Sequence, residues 1–427
     1  MSNYSELSRE ELQSLHSDLL TKYEDYKKKN LKLDMSRGKP AADQFDLVKE
    51  LLDTVNSSSS LICENGMDCR NYGLMDGIPE AKRLLGEIMG VQPQEVIVGG
   101  NSSLNLMYDV ISWAYTHGIR TGALPWCKLE KIKFLCPVPG YDRHFKITES
   151  FGIEMINVEM TSSGPDMDMV EKLAAQDESI KGIWCVPKYS NPQGITYSDE
   201  TVRRMARMKT AAKDFIIMWD NAYSVHDLYP EDRDSLLNIM EECKKAGDPS
   251  RVIIFSSTSK ISYSGAGLAG LASSEENIAN IKKLMTVQTI GFDKINQLRH
   301  VRYFKNYEGI LSHMDRQAQL LRPKFKAVLT AFEKGLAGKG IASWVCPKGG
   351  YFISLDVLPG CAQRVVSLCK EAGVVMTPAG ATYPYGKDPK DQNIRVAPTY
   401  PTVAELEQAV ELLVLCVELA AVEKLLG

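Results

Sequence analysis

A chain of 427 residues has room for two domains and a large buried core. Its 50 Lys plus Arg against 54 Asp plus Glu leave a formal net charge of -4, which gives no argument for nucleic acid or an anionic membrane as partner. No run reaches the roughly 18 apolar residues of a membrane span, the polar N-terminal MSNYSELSREELQ has no signal core, and ten cysteines without a Cys-x-x-Cys pair predict a reduced, cytoplasmic protein with no structural metal.

Residues 1–30 read as a charged amphipathic helix carrying Leu7, Leu12, Leu15, Leu19 and Leu20. LDMSRGKPAADQFDL, Leu33–Leu47, reads as a loop, because Gly38 and Pro40 rule out regular structure. NYGLMDGIPEAKRLL, Asn71–Leu85, is a glycine-punctuated loop that opens into a helix. Strands then alternate with helices: Glu95–Val98, Ile132–Cys136, Glu154–Glu159, Gly182–Val186, Phe215–Trp219 and Val252–Ser256. Apolar strands separated by helices predict a parallel sheet covered on both faces. A seventh run, Gly267–Ala272, follows too closely for a parallel crossover and is expected antiparallel. Beyond residue 300 come a long helix (306–335), a hairpin in SWVCPKGGYFISLDV and a helix (361–372). A loop rich in Gly and Pro (377–390), a strand (Asn393–Ala397) and a final helix follow. Glu411, Glu418 and Glu423 make that last helix read as amphipathic. The expectation is an α/β protein with a large domain over 55–305, a mostly parallel seven-stranded sheet between helices. Residues 1–54 and 306–427 form a smaller α+β domain.

Polar groups gather just past the predicted strands, where open α/β sheets bind ligands. After Glu95–Val98, GGNSSLNLM opens a helix whose first amides, with Asn101, Ser102 and Ser103, can hold an anion; an ordinary helix cap is the plain alternative. PVPGYDRHF offers Tyr141 to stack on a flat ring, or merely to pack a loop, with His144 three residues on. PKYSNPQG puts Asn191 in a turn, either as a plain turn residue or as a donor to a phenolate. FIIMW ends at Asp220, followed by Asn221, Ala222 and Tyr223. A carboxylate at a buried strand end needs a strong partner, a protonated ring nitrogen or an arginine. RVIIFSSTSK ends at Lys260 beside Ser256, Ser257, Thr258 and Ser259; a desolvated lysine there becomes a nucleophilic amine, whereas taken alone it is one more solvated lysine.

Together these residues describe a pyridoxal phosphate pocket, and from about Asp34 to the last helix the chain resembles the fold type I pyridoxal-phosphate aminotransferases. More closely, it resembles the Ic subgroup of aspartate aminotransferases. The resemblance implies that Lys260 forms the internal aldimine and later moves the proton between Cα and the cofactor. Asp220 pairs with the pyridine nitrogen, supported by His144, while Asn191 and Tyr223 hydrogen-bond the phenolic oxygen and Tyr141 stacks on the ring. Lys260, Asp220 and Tyr223 are thus the expected catalytic set. Ser257 binds the phosphate with the Asn101–Ser103 helix start, and Tyr72 reaches the phosphate of the partner subunit in a homodimer. Gly38 lies beside the substrate, Asn191 borders it, and Arg395, in NIRVAP, clamps its α-carboxylate. A salt bridge of Arg395 to a nearby acid such as Asp391 is the plain alternative. The implied reaction moves an amino group, from L-aspartate, to 2-oxoglutarate.

One departure stands out: many relatives carry a phosphate-binding arginine eight residues after the lysine, and here that position is Leu268. The cation that reads an aspartate side chain is not identified by sequence; Arg37, Lys39 and Arg299 are candidates. Ser257-x-x-Lys260 also fits the Ser-x-x-Lys motif of penicillin-binding proteins, but Lys-Thr-Gly is absent and the motif comes late in the chain. About thirty non-basic residues before the aminotransferase-like part are too few for the DNA-binding domain of a fused transcription regulator. β-Lyases and decarboxylases with the same lysine and aspartate remain the rival within the fold.

Overall fold

The computed structural model describes residues 3–427. Eight strands form the main sheet: β1 (Val96–Val98), β2 (Lys133–Val138), β3 (Glu154–Thr161), β4 (Gly164–Pro165), β5 (Ile180–Cys185), β6 (Ile216–Asp220), β7 (Val252–Ser257) and β8 (Ala269–Ala272). Their order across the sheet is β1-β8-β7-β6-β5-β2-β3-β4. Strands β7, β6, β5, β2 and β3 are parallel neighbours. β8 is antiparallel to both β7 and β1, as its short connection requires. The seven expected strands are all present, and the two-residue β4 adds an antiparallel edge to β3.

Strands buried on both faces feed two apolar layers in alternation. Phe134, Met218 and Phe255 point into one layer with Trp113 and Ile111, whereas Leu135, Ile217 and Ile254 point into the other with Leu85 and Met205. Because β1 is antiparallel to β8 and β8 to β7, the carboxyl ends of β1, β2, β5, β6 and β7 open on one edge. The functional candidates follow those ends.

A third core joins the chain termini. Ala342–Trp344, Ile353–Val357 and Asn393–Val396 form an antiparallel sheet, packed with helices Arg9–Lys28, Tyr307–Gly335, Ala362–Glu371 and Val403–Leu426. Two expectations for this region are corrected. Leu33–Leu47 is not all loop: Leu33–Met35 pairs in parallel with Val374–Met376, and Ala42–Asp46 is helical. Only Ser36–Ala41, around Gly38 and Pro40, and the turn residue Leu47 are irregular. The final helix is not simply amphipathic. From Leu412 to Val422 it is buried all round except at Glu418, which accepts a hydrogen bond from Tyr4 at 2.5 Å and pairs with Lys339. A helix covered on all sides needs such partners for its acids.

Candidate active site

β6 and β7 lie side by side with Asp220 opposite Phe255, so Asp220 and the turn after β7 share the sheet edge. Asp220 is buried. Its Oδ2 lies 3.0 Å from His144 Nε2, and its Oδ1 is buried with no hydrogen-bond partner. His144 stacks on Trp184, with ring centroids 4.2 Å apart and planes 9° apart. The aromatic plate fixes the imidazole, the imidazole fixes one carboxylate oxygen, and the other oxygen points at an open demand. A buried ionised oxygen is costly without a donor, above all a cationic one.

Lys260 sits in the turn that follows β7. Its Nζ lies 5.1 Å from the Tyr223 ring centroid and 5.7 Å from that of Tyr351. Desolvation lowers its pKa; the Asp220 charge opposes that shift and the Arg395 charge adds to it. The result is an amine more readily free of its proton than a solvated lysine. Tyr223 is buried, and burial drives its phenol pKa well up, so it stays a neutral donor. Tyr141, at the start of helix Asp142–Ser150, is likewise held neutral by burial and lies edge-on to His144 at 4.9 Å.

The hydroxyl-rich end is assembled from two strand ends. Asn101 precedes helix Ser103–Thr116, and Ser102 caps it, its hydroxyl accepting from the Leu104 amide at 3.2 Å. Ser257 donates to the Ser259 hydroxyl at 3.2 Å, and Ser259 donates to the Asn101 carbonyl at 3.0 Å. Asn101 in turn reaches the Gly265 carbonyl. Leu268 is buried in the core, and its amide and carbonyl bond Thr258 to shape the lysine turn. This position is thus spent on packing and on shaping the turn.

Arg395 is the third residue of strand Asn393–Val396, paired opposite Ser354. Its guanidinium lies 4.9 Å above the Phe352 ring. Nη1 donates to Asp142 at 2.8 Å and to Asn191 Oδ1 at 3.3 Å, and Nε points to Thr377 Oγ1 at 3.4 Å. Among the described residues no group accepts from Nη2. The acid beside Arg395 is Asp142 and not Asp391, whose carboxylate caps helix Ala362–Glu371 through the Gln363 amide. Gly38 lies against Phe352: a Cβ there would fall 2.5 Å from the ring.

Contacts and mutual charge effects thus bring Lys260, Asp220, Tyr223, His144, Tyr141, Asn191 and Arg395 together. Ser257 lies on the strand that leads to Lys260 and is bonded toward Asn101 through Ser259, and Gly38 lies against the Phe352 ring under Arg395. Tyr72 shares no hydrogen bond with them and is 76% exposed. Arg37 and Lys39 are exposed, the latter lying 3.8 Å over Tyr400, and Arg299 has its Nε buried without a partner. Tyr351, Phe352, Trp184, Asp142 and Thr377 escaped the sequence reading. Tyr351 stacks near Tyr223 and accepts from Gln44 at 2.8 Å. The only signal was the Lys-Gly-Gly turn before Tyr351 and Phe352; aromatic residues at strand starts otherwise read as core.

These findings agree with comparisons across known proteins. A family model for aspartate amino-transferase matches residues 7–427. An aspartate aminotransferase of Corynebacterium glutamicum is 46% identical over 411 residues, 96% of this chain and 94% of its own length. The crystal structure of an aspartate transaminase from Corynebacterium glutamicum superposes with a TM-score of 0.96 at 44% identity, covering 99% of each chain. A Thermus thermophilus α-aminoadipate aminotransferase complexed with N-(5′-phosphopyridoxyl)-L-leucine shares the fold, at TM-score 0.74 and 20% identity, over 92% of this chain and 93% of its own.

Proposed function

This chain belongs to the aspartate amino-transferase family and is an aminotransferase; from that premise we propose that it uses pyridoxal 5′-phosphate to move the amino group of L-aspartate to 2-oxoglutarate. The observation that carries the cofactor reading is Asp220, with one oxygen held by His144 and the other buried and unpartnered. A protonated pyridine nitrogen is the donor that such an oxygen needs. When bound, the cofactor supplies an electrophilic carbon for the amino nitrogen and a cationic ring that delocalises negative charge from Cα.

The chain's own residues supply the rest. Asp220 keeps the ring-nitrogen proton in place, and His144 keeps Asp220 in place. Tyr223, neutral through burial, and the Asn191 amide serve the phenolic oxygen, while Tyr141 covers a ring face. Asn101, Ser102, Ser103 and Ser257 serve the phosphate with amides and hydroxyls in place of the missing arginine. Lys260, its pKa lowered by burial, takes a proton from the substrate Cα and returns it elsewhere as general base and acid. Arg395 offers Nη2 to the α-carboxylate, and Gly38 leaves room beside it. The orientation so fixed matters, because the bond to be broken must stand perpendicular to the ring. L-Aspartate as donor rests on the relative's activity.

The proposal extends to assembly. Tyr72, Val287 and Ile290 are all exposed, at 76%, 91% and 61%. The segments are neighbours, since a Cβ on Gly291 would stand 3.0 Å from the Gly73 carbonyl. Such an apolar group supports a homodimer in which Tyr72 serves the partner's phosphate site. The domain division at 55–305 against 1–54 and 306–427 is part of the same reading. Most of the terminal segments' buried residues share one core, which also takes in Val186, Tyr189, Tyr223 and Leu228, whereas Val48, Leu51, Ile310 and Met314 pack in a core of the main sheet. A panel of amino donors with 2-oxoglutarate, followed through the cofactor's absorbance, tests the function. Aspartate should lead the panel, and a donor lacking any side-chain carboxylate that outpaces it would overturn the substrate assignment.

A further inference from the structure

Arg395 presents an unusual balance of charge for a residue that must grip a carboxylate. Both hydrogens of Nη1 are engaged, one by Asp142 at 2.8 Å and one by Asn191 at 3.3 Å. Asp142 is the first residue of helix Asp142–Ser150, directly after Tyr141, so its backbone is anchored to the wall of the site. Its side chain is 30% exposed, against 7% for Arg395, and has freedom to turn toward solvent that the guanidinium lacks. An incoming carboxylate finds Nη2 open and Nη1 already serving an anion. A two-pronged grip through both terminal nitrogens requires the hydrogen that Asp142 holds.

We propose that Asp142 is an internal competitor for the substrate clamp: its carboxylate neutralises Arg395 between turnovers and must yield Nη1 when the α-carboxylate arrives. The inference rests on Arg395 being that clamp. Its consequence is weakened ground-state grip on every α-carboxylate, substrate and product alike, which favours release. Specificity follows too, since only a ligand with a well-placed carboxylate displaces the resident one.

Asp142→Asn keeps an oxygen for Nη1 to bond and removes only the charge. The measurement is calorimetric binding of maleate, an unreactive dicarboxylate, to the cofactor-loaded enzyme, with Asp142→Ser as a second variant and melting temperature as the control for folding. Both variants should bind maleate roughly 3- to 30-fold more tightly, the range expected when a like charge leaves a partly screened site. Both should also show lower KM for amino acids, with KM for a simple amine unchanged. A helix-start role alone would lower the melting temperature and leave maleate affinity where it was. Unchanged or weaker maleate binding in Asp142→Asn overturns the inference. Arg395→Lys separates the two levels of the argument. If it leaves maleate affinity intact, the clamp lies elsewhere and this inference falls with it. If it weakens maleate while Asp142→Asn does not strengthen it, the clamp stands and only the competition is wrong.

Discussion

Asp220 shows how one residue's chemistry is set by what is withheld from it. Its Oδ2 has His144, its Oδ1 has no partner among the described residues, and the site around it is desolvated. Asp220→Asn keeps the shape and removes the charge that would hold a ring-nitrogen proton. Cofactor content should stay near normal while kcat and kcat/KM both fall by roughly 100- to 1,000-fold, because the lost interaction grows in the transition state. A near-normal kcat would make Asp220 a structural residue. Lys260→Ala should lose the covalent attachment of the cofactor, and reduction of the wild type with borohydride should tag Lys260 in a peptide map; a tag on another lysine would sink the assignment. For Arg395, replacing one partner of a desolvated charge pair costs ~2–5 kcal/mol. Arg395→Lys should therefore lower kcat/KM for α-amino acids by roughly 30- to several-thousand-fold. An amine without the α-carboxylate should change little, and equal losses would make Arg395 structural.

At the scale of elements, what was legible in the sequence depended on how local the cause was. The strands that carry the site are short apolar runs whose polar successors mark their ends, so Asp220, Lys260 and Asn101 could be placed on one edge before any pairing was known. The antiparallel turn of β8 followed from the length of its connection. Leu33–Met35 was opaque because its partner, Val374–Met376, stands at the other end of the chain. Phe352 and Asp142 were opaque for a related reason: they meet Arg395 only through the pairing of Ile353–Val357 with Asn393–Val396 and the approach of helix Asp142–Ser150. Gly38 shows how tightly these elements meet. Its backbone lies where a methyl group would press within 2.5 Å of the Phe352 ring, which itself lies under the Arg395 guanidinium. Gly38→Ala should cost about 1–3 kcal/mol of stability by overpacking. KM for amino acids should rise more than kcat falls. An unchanged KM alongside a lowered melting temperature would confine Gly38 to packing.

The whole molecule carries two further consequences. Burial, with the charges of Lys260 and Lys188, lowers the pKa of His226 from 6.5 to about 3. Burial likewise lowers His300 and His313 from 6.5 to about 4. The folded chain refuses protons that the unfolded chain accepts, so stability is complete above about pH 6.5 and declines as pH falls toward the folded values, by up to about 4 kcal/mol per pH unit if all three act. Urea midpoints between pH 7 and 4.5 check this, and His313→Asn should flatten the slope; a level profile would mean that the histidines titrate normally. The second consequence concerns assembly. Tyr72 stands exposed, as do Val287 and Ile290, on segments that approach each other at Gly73 and Gly291. If it completes the phosphate site of a partner in a two-fold dimer, each active site draws on two chains. Lys260→Ala and Tyr72→Ala chains should then each be impaired alone, for opposite reasons. In a hybrid dimer, the chain that retains Lys260 receives an intact Tyr72 from its neighbour, and the other site lacks both. Equal mixing with random reassociation should restore about a quarter of wild-type activity, since half the dimers are hybrids with one working site each. The requirement is that Tyr72→Ala be strongly impaired by itself, with weaker cofactor retention as its signature. No recovery from dimers verified as mixed would put the essential tyrosine of each site in its own chain, and the exposure of Tyr72 would then need a different partner.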